Sequence, residues 1–266
     1  MNHFTDHIRV AALPLDIKWA DKHANLEAVR KSFEKLPAGT DIVVLPELFS
    51  TGFADDEALL RDMAERNTQE TVDFIKELAK DYSVAIAGSY LASTPPKIYN
   101  RGFLIEPNGD ETFYDKRHLF SLSREAQIFA RGDSVLPVVR FRGWNIAMIV
   151  CYDLRFPVWC RCRNSSYDLL LVVANWPKAR AYAWEHLLIA RAIENQCCVV
   201  GANRGGRDLY GDYDGLTDIY DGRGIPVGQK SDTCPFVVAD LSRVTQDDYR
   251  RNFPVSNDAD DFELLR

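Results

Sequence analysis

The chain has 266 residues, of which 46% are hydrophobic and 27% are charged, an ordinary balance for a soluble globular protein. A formal charge of −7 gives no electrostatic reason to bind nucleic acid or an anionic membrane. The N-terminus lacks the apolar core of a secretory signal, and no apolar run reaches the length of a membrane-spanning helix. The expected location is therefore the cytoplasm.

Apolar runs alternate with amphipathic stretches along the whole chain. Short runs bounded by turn residues predict strands, and apolar residues at three-to-four spacing predict helices. In chain order the predicted elements are a strand at 8–15, a helix at 25–36, a strand at 41–45, a helix at 71–82, strands at 84–91, 99–105, 111–114, 138–141, 144–150 and 167–174, a helix at 181–196, and strands at 197–202, 217–220 and 236–239.

This order gives an α/β protein in which α/β units are mixed with antiparallel hairpins. No linker, low-complexity stretch or repeat period divides the sequence, so residues 1–266 are predicted to form a single domain. The acidic residues 256–266 are expected to be a loose tail or an arm that docks on a partner subunit.

The six cysteines contain no CxxC pair, and the five histidines are scattered. These spacings do not predict a zinc site, and a chain of this size without an export signal does not need a disulfide framework. Each cysteine is therefore either a core residue or a nucleophile. Cys160 and Cys162, which are predicted to lie on a helix, and Cys197, Cys198 and Cys234 are assigned to structure.

Cys151 is the candidate nucleophile. It ends an apolar run and is followed by the polar sequence Tyr-Asp-Leu-Arg, so it is expected at the end of a buried strand, entering a turn. A reactive thiol also requires a base and an electropositive setting. Without them, Cys151 is a small buried hydrophobic residue, which is the commoner role of a free cysteine.

Glu47, Lys116 and Glu125 are the charged candidates. Glu47 follows the predicted strand 41–45, at the end of a strand where α/β folds build their sites. Lys116 follows the strand 111–114, and Glu125 lies nine residues further on. Taken alone, each of these three residues is equally consistent with a solvated surface side chain that has no catalytic role.

Motifs in several segments occur together in a recognisable order. They are Leu45-Pro46-Glu47, Tyr114-Asp115-Lys116, the sequence CYDLRFP at 151–157, Asn175-Trp176-Pro177, and residues 190–204. Together they resemble the nitrilase superfamily of carbon–nitrogen hydrolases over almost the whole chain. The resemblance implies a four-layer α-β-β-α sandwich and a homodimer or higher homo-oligomer.

The resemblance also implies a role for each catalytic candidate. Glu47 matches the family's general base, Lys116 its lysine, Cys151 its nucleophile and Glu125 the second glutamate that supports the site. Chemical reasoning adds an oxyanion site formed by Lys116 and the backbone N–H of Tyr152. A small amide and water are the expected partners, and neither a metal nor a cofactor is required.

Residues 46–53 and Asn175-Trp176-Pro177 with Arg180 resemble the ω-amidase branch, which hydrolyses monoamides of short dicarboxylic acids such as 2-oxoglutaramate. Arg180 is the candidate for binding the distal carboxylate, because a guanidinium holds a carboxylate with two parallel bonds. Trp176 and Phe49 are candidate pocket walls. The alternatives are an arginine that faces solvent and aromatic residues that belong to the core.

Two departures from the family pattern bear on substrate fit. Val158 stands where many members have glutamate, and Thr217 replaces the serine of a late Gly-x-Ser pattern. Other functions remain open: a nitrilase or an N-carbamoyl amine hydrolase with the same three residues, a non-catalytic binding protein of the same fold, or a thiol redox protein with Cys160 or Cys162 as resolving cysteine.

Overall fold

The computed structural model describes residues 6–54 and 56–264. The strands are β1 (His7–Ala12), β2 (Ile42–Val44), β3 (Ala85–Thr94), β4 (Lys97–Ile105), β5 (Glu111–Asp115), β6 (Val138–Phe141), β7 (Trp144–Val150), β8 (Leu169–Ala174), β9 (Cys198–Asn203), β10 (Gly205–Asp208), β11 (Gly211–Asp214), β12 (Asp218–Tyr220), β13 (Gln229–Ser231) and β14 (Cys234–Ser242). The α-helices are α1 (Lys22–Phe33), α2 (Glu57–Met63), α3 (Glu70–Tyr82), α4 (Glu125–Ile128), α5 (Ala181–Asn195) and α6 (Arg243–Asn252).

The strands form two large sheets and one separate hairpin. The seven-stranded sheet has the order β13-β14-β1-β2-β3-β4-β5, and the five-stranded sheet has the order β12-β9-β8-β7-β6. Strands β1, β2 and β3 are parallel to one another, as are β7, β8 and β9. Strands β10 and β11 form a two-stranded antiparallel sheet, and Gly205 of β10 also forms an isolated bridge with Asp16.

The two sheets pack face to face. One buried cluster contains Val10 and Leu104 from the larger sheet together with Met148 and Val150 from the smaller one. Gly102 on β4 lies so close to β7 that a Cβ atom there would stand 2.7 Å from Met148 Cε. The absence of a side chain at Gly102 therefore helps to set the spacing between the sheets.

Helices cover the outer faces of both sheets. Leu26, Val29 and Phe33 of α1 and Ile75 of α3 pack in a second buried cluster, against the larger sheet. Helix α5 covers the smaller sheet, where Gly201 on β9 admits Leu188 so closely that an added Cβ would lie 2.4 Å from its Cδ1 atom. The order helix, sheet, sheet, helix is the predicted four-layer sandwich.

The predicted strands and long helices are confirmed, with shifts of a few residues at their ends. Helices α2, α4 and α6 and strands β10, β11 and β13 are additional. Helix α6 escapes prediction because Gln246 is its one buried residue, so it has no apolar period. The predicted helix at Cys160 and Cys162 is wrong: these residues lie in a turn and an irregular segment before a short 3₁₀ turn at Arg163–Ser165.

The C-terminal segment contacts its own chain through Asp261 and Phe262. The Arg163 Nη2 atom lies 3.2 Å from an oxygen of Asp261, and the Arg163 guanidinium stands over the Phe262 ring. Docking on a partner subunit stays a prediction, and residues 265 and 266 lie outside the described residues. Within the described residues no helix is long and apolar enough to cross a membrane.

Candidate active site

A cavity of about 700 Å³ opens where strands of both sheets end. Cys151 follows β7, Asn175 follows β8, and Glu47 lies three residues beyond β2 of the opposite sheet. The cavity is lined by seven of the predicted site residues: Glu47, Lys116, Glu125, Cys151, Tyr152, Trp176 and Arg180. The predicted set is thus brought together from segments far apart in the sequence.

Glu47 is almost fully buried, and its two carboxylate oxygens have different partners. Oε1 accepts hydrogen bonds from Asn100 Nδ2 at 2.7 Å and from Lys116 Nζ at 3.0 Å. Oε2 accepts one from the backbone N–H of Asn175 at 2.7 Å. The Asn175 side chain also donates to the Glu47 backbone carbonyl at 2.8 Å, so both sheets fix the position of this carboxylate.

Lys116 lies between two buried carboxylates. Its Nζ atom is 2.7 Å from Glu125 Oε1, and the second Glu125 oxygen accepts a hydrogen bond from the backbone N–H of Phe120 at 2.6 Å. Burial acts to lower the pKa of Lys116, but attraction by Glu125, Glu47 and Cys151 outweighs it and raises that pKa well above its usual value. Lys116 is therefore held as a cation.

Cys151 occupies a strained position at the start of a 3₁₀ helix, Cys151–Arg155. Its φ angle is +48°, which is uncommon for a residue with a side chain and turns the thiol away from the line of β7. Burial and the charge of Glu47 raise the pKa of Cys151 well above its usual value, and Lys116 opposes them. Lys116 thus favours the thiolate, but the raised pKa of the thiol means that forming the thiolate requires a base.

Asp153 holds the turn that carries Cys151. Its side chain is completely buried and accepts hydrogen bonds from Tyr114 Oη at 2.8 Å, the His118 backbone N–H at 2.8 Å and the Val150 N–H at 3.1 Å. These donors come from the segments on either side of Lys116 and from β7. Asp153 therefore joins the lysine segment to the nucleophile turn.

Tyr152 contributes a backbone group and a ring to the cavity. Its N–H belongs to the first turn of the 3₁₀ helix, where N–H groups have no partner within the helix. Its ring packs edge-on against Phe120 and Phe156, with centroids 5.1 and 5.2 Å away. The geometry is compatible with the oxyanion role that the sequence predicts.

Two arginines of the cavity form cation–π contacts with aromatic rings. The Arg180 guanidinium is exposed and lies 5.3 Å from the Phe120 ring centroid. Arg155 stands 4.7 Å above the ring of Trp176, whose Nε1 donates to the Arg180 carbonyl at 2.9 Å. The cavity therefore has a cationic side, with Arg155 as a second arginine that sequence reasoning did not single out.

The expectation that Phe49 forms a pocket wall is wrong. Phe49 is fully buried in the cluster between the larger sheet and its helices, 6.0 Å from the Phe103 ring. Phe53 lines the cavity instead and packs edge-on against Tyr210 at 5.5 Å. Pocket and core positions alternate irregularly in this loop, so no period in the sequence distinguishes them.

The hairpin β10–β11 forms part of the cavity wall through Tyr210 and Tyr213. Arg204, which has no exposed surface, holds the hairpin: it pairs with Asp208, donates to the Ile17 carbonyl at 2.7 Å and lies 4.2 Å from the Tyr213 ring centroid. Sequence reasoning assigned no residue of this hairpin to the site.

The remaining cysteines have structural positions or lie apart from the site. Burial raises the pKa of Cys160 and of Cys198 to about 12, and Cys162 and Cys197 are also buried. Cys234 is half-buried at the start of β14. Among residues 6–54 and 56–264, no group of three or more His, Cys, Asp or Glu side chains is arranged to hold a metal ion.

Comparisons with known proteins show the family of the chain. The family model described as carbon-nitrogen hydrolase matches residues 9–251. The chain is 40% identical to omega-amidase YafV of Escherichia coli K12, over 97% of this chain and 98% of that protein. It is 30% identical to the 2-oxoglutaramate amidase of Bacillus subtilis strain 168, over 94% and 96% of the two chains.

A solved structure is similar to this chain over nearly its whole length. The CN-hydrolase superfamily protein of Xanthomonas campestris, which carries an arsenic adduct in its active site, superposes with a TM-score of 0.91 at 37% identity, covering 97% of this chain and 99% of that one. Since the family model and these relatives span nearly all of the fold that surrounds Glu47, Lys116 and Cys151, the chain belongs to the carbon–nitrogen hydrolase family and is a hydrolase of carbon–nitrogen bonds.

Proposed function

We propose that the protein is an ω-amidase that hydrolyses monoamides of short dicarboxylic acids, such as 2-oxoglutaramate, through a thioester on Cys151. The observation that carries the proposal is the meeting of Glu47, Lys116 and Cys151 in one cavity that is also lined by Arg155 and Arg180. The similarity to an omega-amidase and to a 2-oxoglutaramate amidase supports the choice of substrate.

Acylation begins with transfer of the thiol proton from Cys151 to Glu47. The sulfur attacks the amide carbon, and negative charge develops on the carbonyl oxygen near Lys116 and the Tyr152 N–H. Protonated Glu47 then gives its proton to the departing nitrogen, so that the C–N bond breaks and ammonia leaves. The product of this half-reaction is a thioester.

Deacylation uses the same carboxylate as a base. Glu47 takes a proton from water, the resulting hydroxide attacks the thioester, and the carboxylic acid product leaves as the Cys151 thiol is restored. Lys116 transfers no proton in this scheme. Its fixed charge stabilises both tetrahedral intermediates, and Glu125 holds its ammonium group in place.

The test measures ammonia release from 2-oxoglutaramate and from succinamate. We expect turnover by the wild type, loss of turnover in Cys151→Ala, and retention in Cys234→Ala, which removes a half-buried thiol at the start of β14. Turnover of nitriles or N-carbamoyl amines with no turnover of these amides would reject the ω-amidase assignment. Full activity of Cys151→Ala would reject the nucleophile.

Two further expectations from the sequence stay part of the proposal. The enzyme works in the cytoplasm and forms a homodimer or a higher homo-oligomer. Light scattering after size-exclusion chromatography tests the second, because a dimer has twice the chain mass of 30.2 kDa.

A further inference from the structure

A chain of buried polar side chains lies behind Glu47, on the side away from the cavity. Asn100 on β4 donates to Glu47 Oε1, and its own Oδ1 accepts from Ser89 Oγ on β3 at 2.9 Å. Ser89 Oγ in turn accepts from the backbone N–H of Leu48 at 2.9 Å. Asn100 and Ser89 have no exposed surface, so water does not compete for these bonds.

The hydrogen bonds distinguish the two oxygens of Glu47. A carboxylate oxygen has two lone pairs and accepts about two hydrogen bonds. Asn100 and Lys116 supply two donors to Oε1, whereas Asn175 supplies a single donor to Oε2. Oε1 is therefore saturated, and Oε2 keeps one lone pair.

We propose that Asn100 is a positioning residue that, together with Lys116, saturates Glu47 Oε1 and so leaves Oε2 as the atom that takes the proton from Cys151. The S–H bond breaks, an O–H bond forms at Oε2, and the sulfur electron pair attacks the substrate carbon. This inference rests on the proposed function of Glu47 as the base.

Ser89 fixes the orientation of the Asn100 side-chain amide. An asparagine amide presents either its oxygen or its NH₂ group, and donation from Ser89 Oγ fixes the oxygen on the β3 side. The NH₂ group of Asn100 then has to face Glu47. Because the bond goes to a charged oxygen, it favours the ionised form of the base, in which Glu47 accepts the proton.

The pH dependence of such a base depends on every charge that faces it. On the larger sheet Lys116 lies against Glu47, with Glu125 of α4 beyond it. Cys151, at the end of β7 of the smaller sheet, and Tyr213 of the hairpin line the same cavity as Glu47. A substitution at Asn100 leaves all four groups in place and removes one neutral donor.

The first experiment replaces Asn100 with leucine and measures kcat/KM for succinamate against pH. We expect the acid limb of this profile to move up by about one to two pH units, because the site loses a hydrogen bond that favours its negative charge. The matched control is Asn195→Leu, which removes a buried amide with two hydrogen bonds at the end of α5, away from the cavity. Its acid limb should not move.

A second variant, Asn100→Asp, keeps the size of the side chain and guards against misfolding of the leucine variant. Two adjacent carboxyl groups share a proton, so its acid limb should also move up. An unchanged limb in either folded variant, as judged by circular dichroism, overturns the role of Asn100. A purely structural role would lower expression or stability and leave the limb where it is.

Alkylation of Cys151 by iodoacetamide provides a readout that does not depend on turnover. Its rate against pH, followed by mass spectrometry, should show the same displaced limb in both variants. A displaced limb in an enzyme that turns over no amide rejects the proposed function alone. Amide turnover with an undisplaced limb rejects the positioning role alone.

Discussion

At the scale of single residues, the site balances its buried charges internally. Lys116 neutralises part of the charge of Glu47 and Glu125, and the backbone N–H groups of Asn175 and Phe120 donate further hydrogen bonds to the two carboxylates. Breaking such an arrangement by removing one partner leaves a buried charge without compensation. The cation therefore serves stability as well as chemistry.

The variant Lys116→Met tests this charge balance through the dependence of folding stability on pH. Burial already raises the pKa of Glu125, and loss of the cation raises it further, so the folded state of the variant binds more protons than the unfolded chain. Its stability relative to wild type should consequently fall as pH rises, with a deficit of about 3 kcal/mol at pH 8 and less at pH 5.5. Melting temperatures at the two pH values measure it.

Lys76→Met is the matched control, because Lys76 pairs with Glu111 where both side chains are partly exposed. Its deficit should be about 1 kcal/mol or less, at either pH. Equal deficits of the Lys116 variant at both pH values would contradict the account.

Arg180→Met addresses the substrate. If the guanidinium binds the distal carboxylate, KM for succinamate should rise by about tenfold or more, while KM for butyramide, which has no carboxylate, should stay near its wild-type value. Lys178→Met removes a neighbouring cation of the same cavity and provides the comparison. A similar change in KM for both substrates would contradict carboxylate binding by Arg180.

The sequence predicted the residues that lie within motifs and missed those that depend on strand pairing. Glu47, Lys116 and Cys151 stand in recognisable segments. Asn100 reaches Glu47 only because β2, β3 and β4 are neighbours in the sheet, which no local pattern reveals. One signal was available in the sequence. Asn100 lies on the same buried face of β4 as Ile98 and Gly102, and a buried polar side chain requires a hydrogen-bond partner.

At the scale of secondary structure elements, the hairpin β10–β11 is the part of the site with least support from a sheet. Its two strands form a sheet of their own, tied to the segment after β1 by a single bridge between Gly205 and Asp16, and a pair of strands alone is marginally stable. Arg204 adds a further attachment through Asp208, the Ile17 carbonyl and the Tyr213 ring. The sequence of this hairpin is rich in glycine and aspartate and so predicted neither strands nor a role.

Arg204→Met should loosen the hairpin and withdraw Tyr213 from the cavity wall. We expect kcat/KM to fall by about tenfold or more, and proteolysis within residues 206–214 to become faster. Arg207→Met is the control, because Arg207 lies on the same hairpin but is exposed and pairs with exposed Asp212. Loss of activity in both variants alike would show that Arg204 has no special part in holding the hairpin.

At the scale of the whole molecule, the site exists only where the two sheets meet. Glu47 and Lys116 follow strands of the seven-stranded sheet, and Cys151 follows a strand of the five-stranded one. The four-layer order was predictable from resemblance to a family, whereas the alternation of strands and helices alone predicted only the α/β class. The distance between the sheets depends on side-chain packing, which no sequence period encodes.

Gly102→Val tests that distance. The added side chain would collide with Met148 and Val150 of the facing sheet, so we expect a loss of about 1–3 kcal/mol in unfolding free energy and a lower kcat. Urea denaturation measures the first and ammonia release the second. Adding Met148→Ala should restore part of both, and failure of the double variant to recover either would contradict a steric origin.

The pairing of the first strand with the last has a consequence for synthesis on the ribosome. Strand β1 bonds to β14, with Ala12 opposite Val237, and β2 covers its other edge. At 5–20 residues per second, one edge of β1 waits roughly 10 to 45 seconds for its partner to be translated. During that interval the nascent chain presents an apolar strand with open hydrogen-bonding groups, which makes it a target for chaperones and for aggregation.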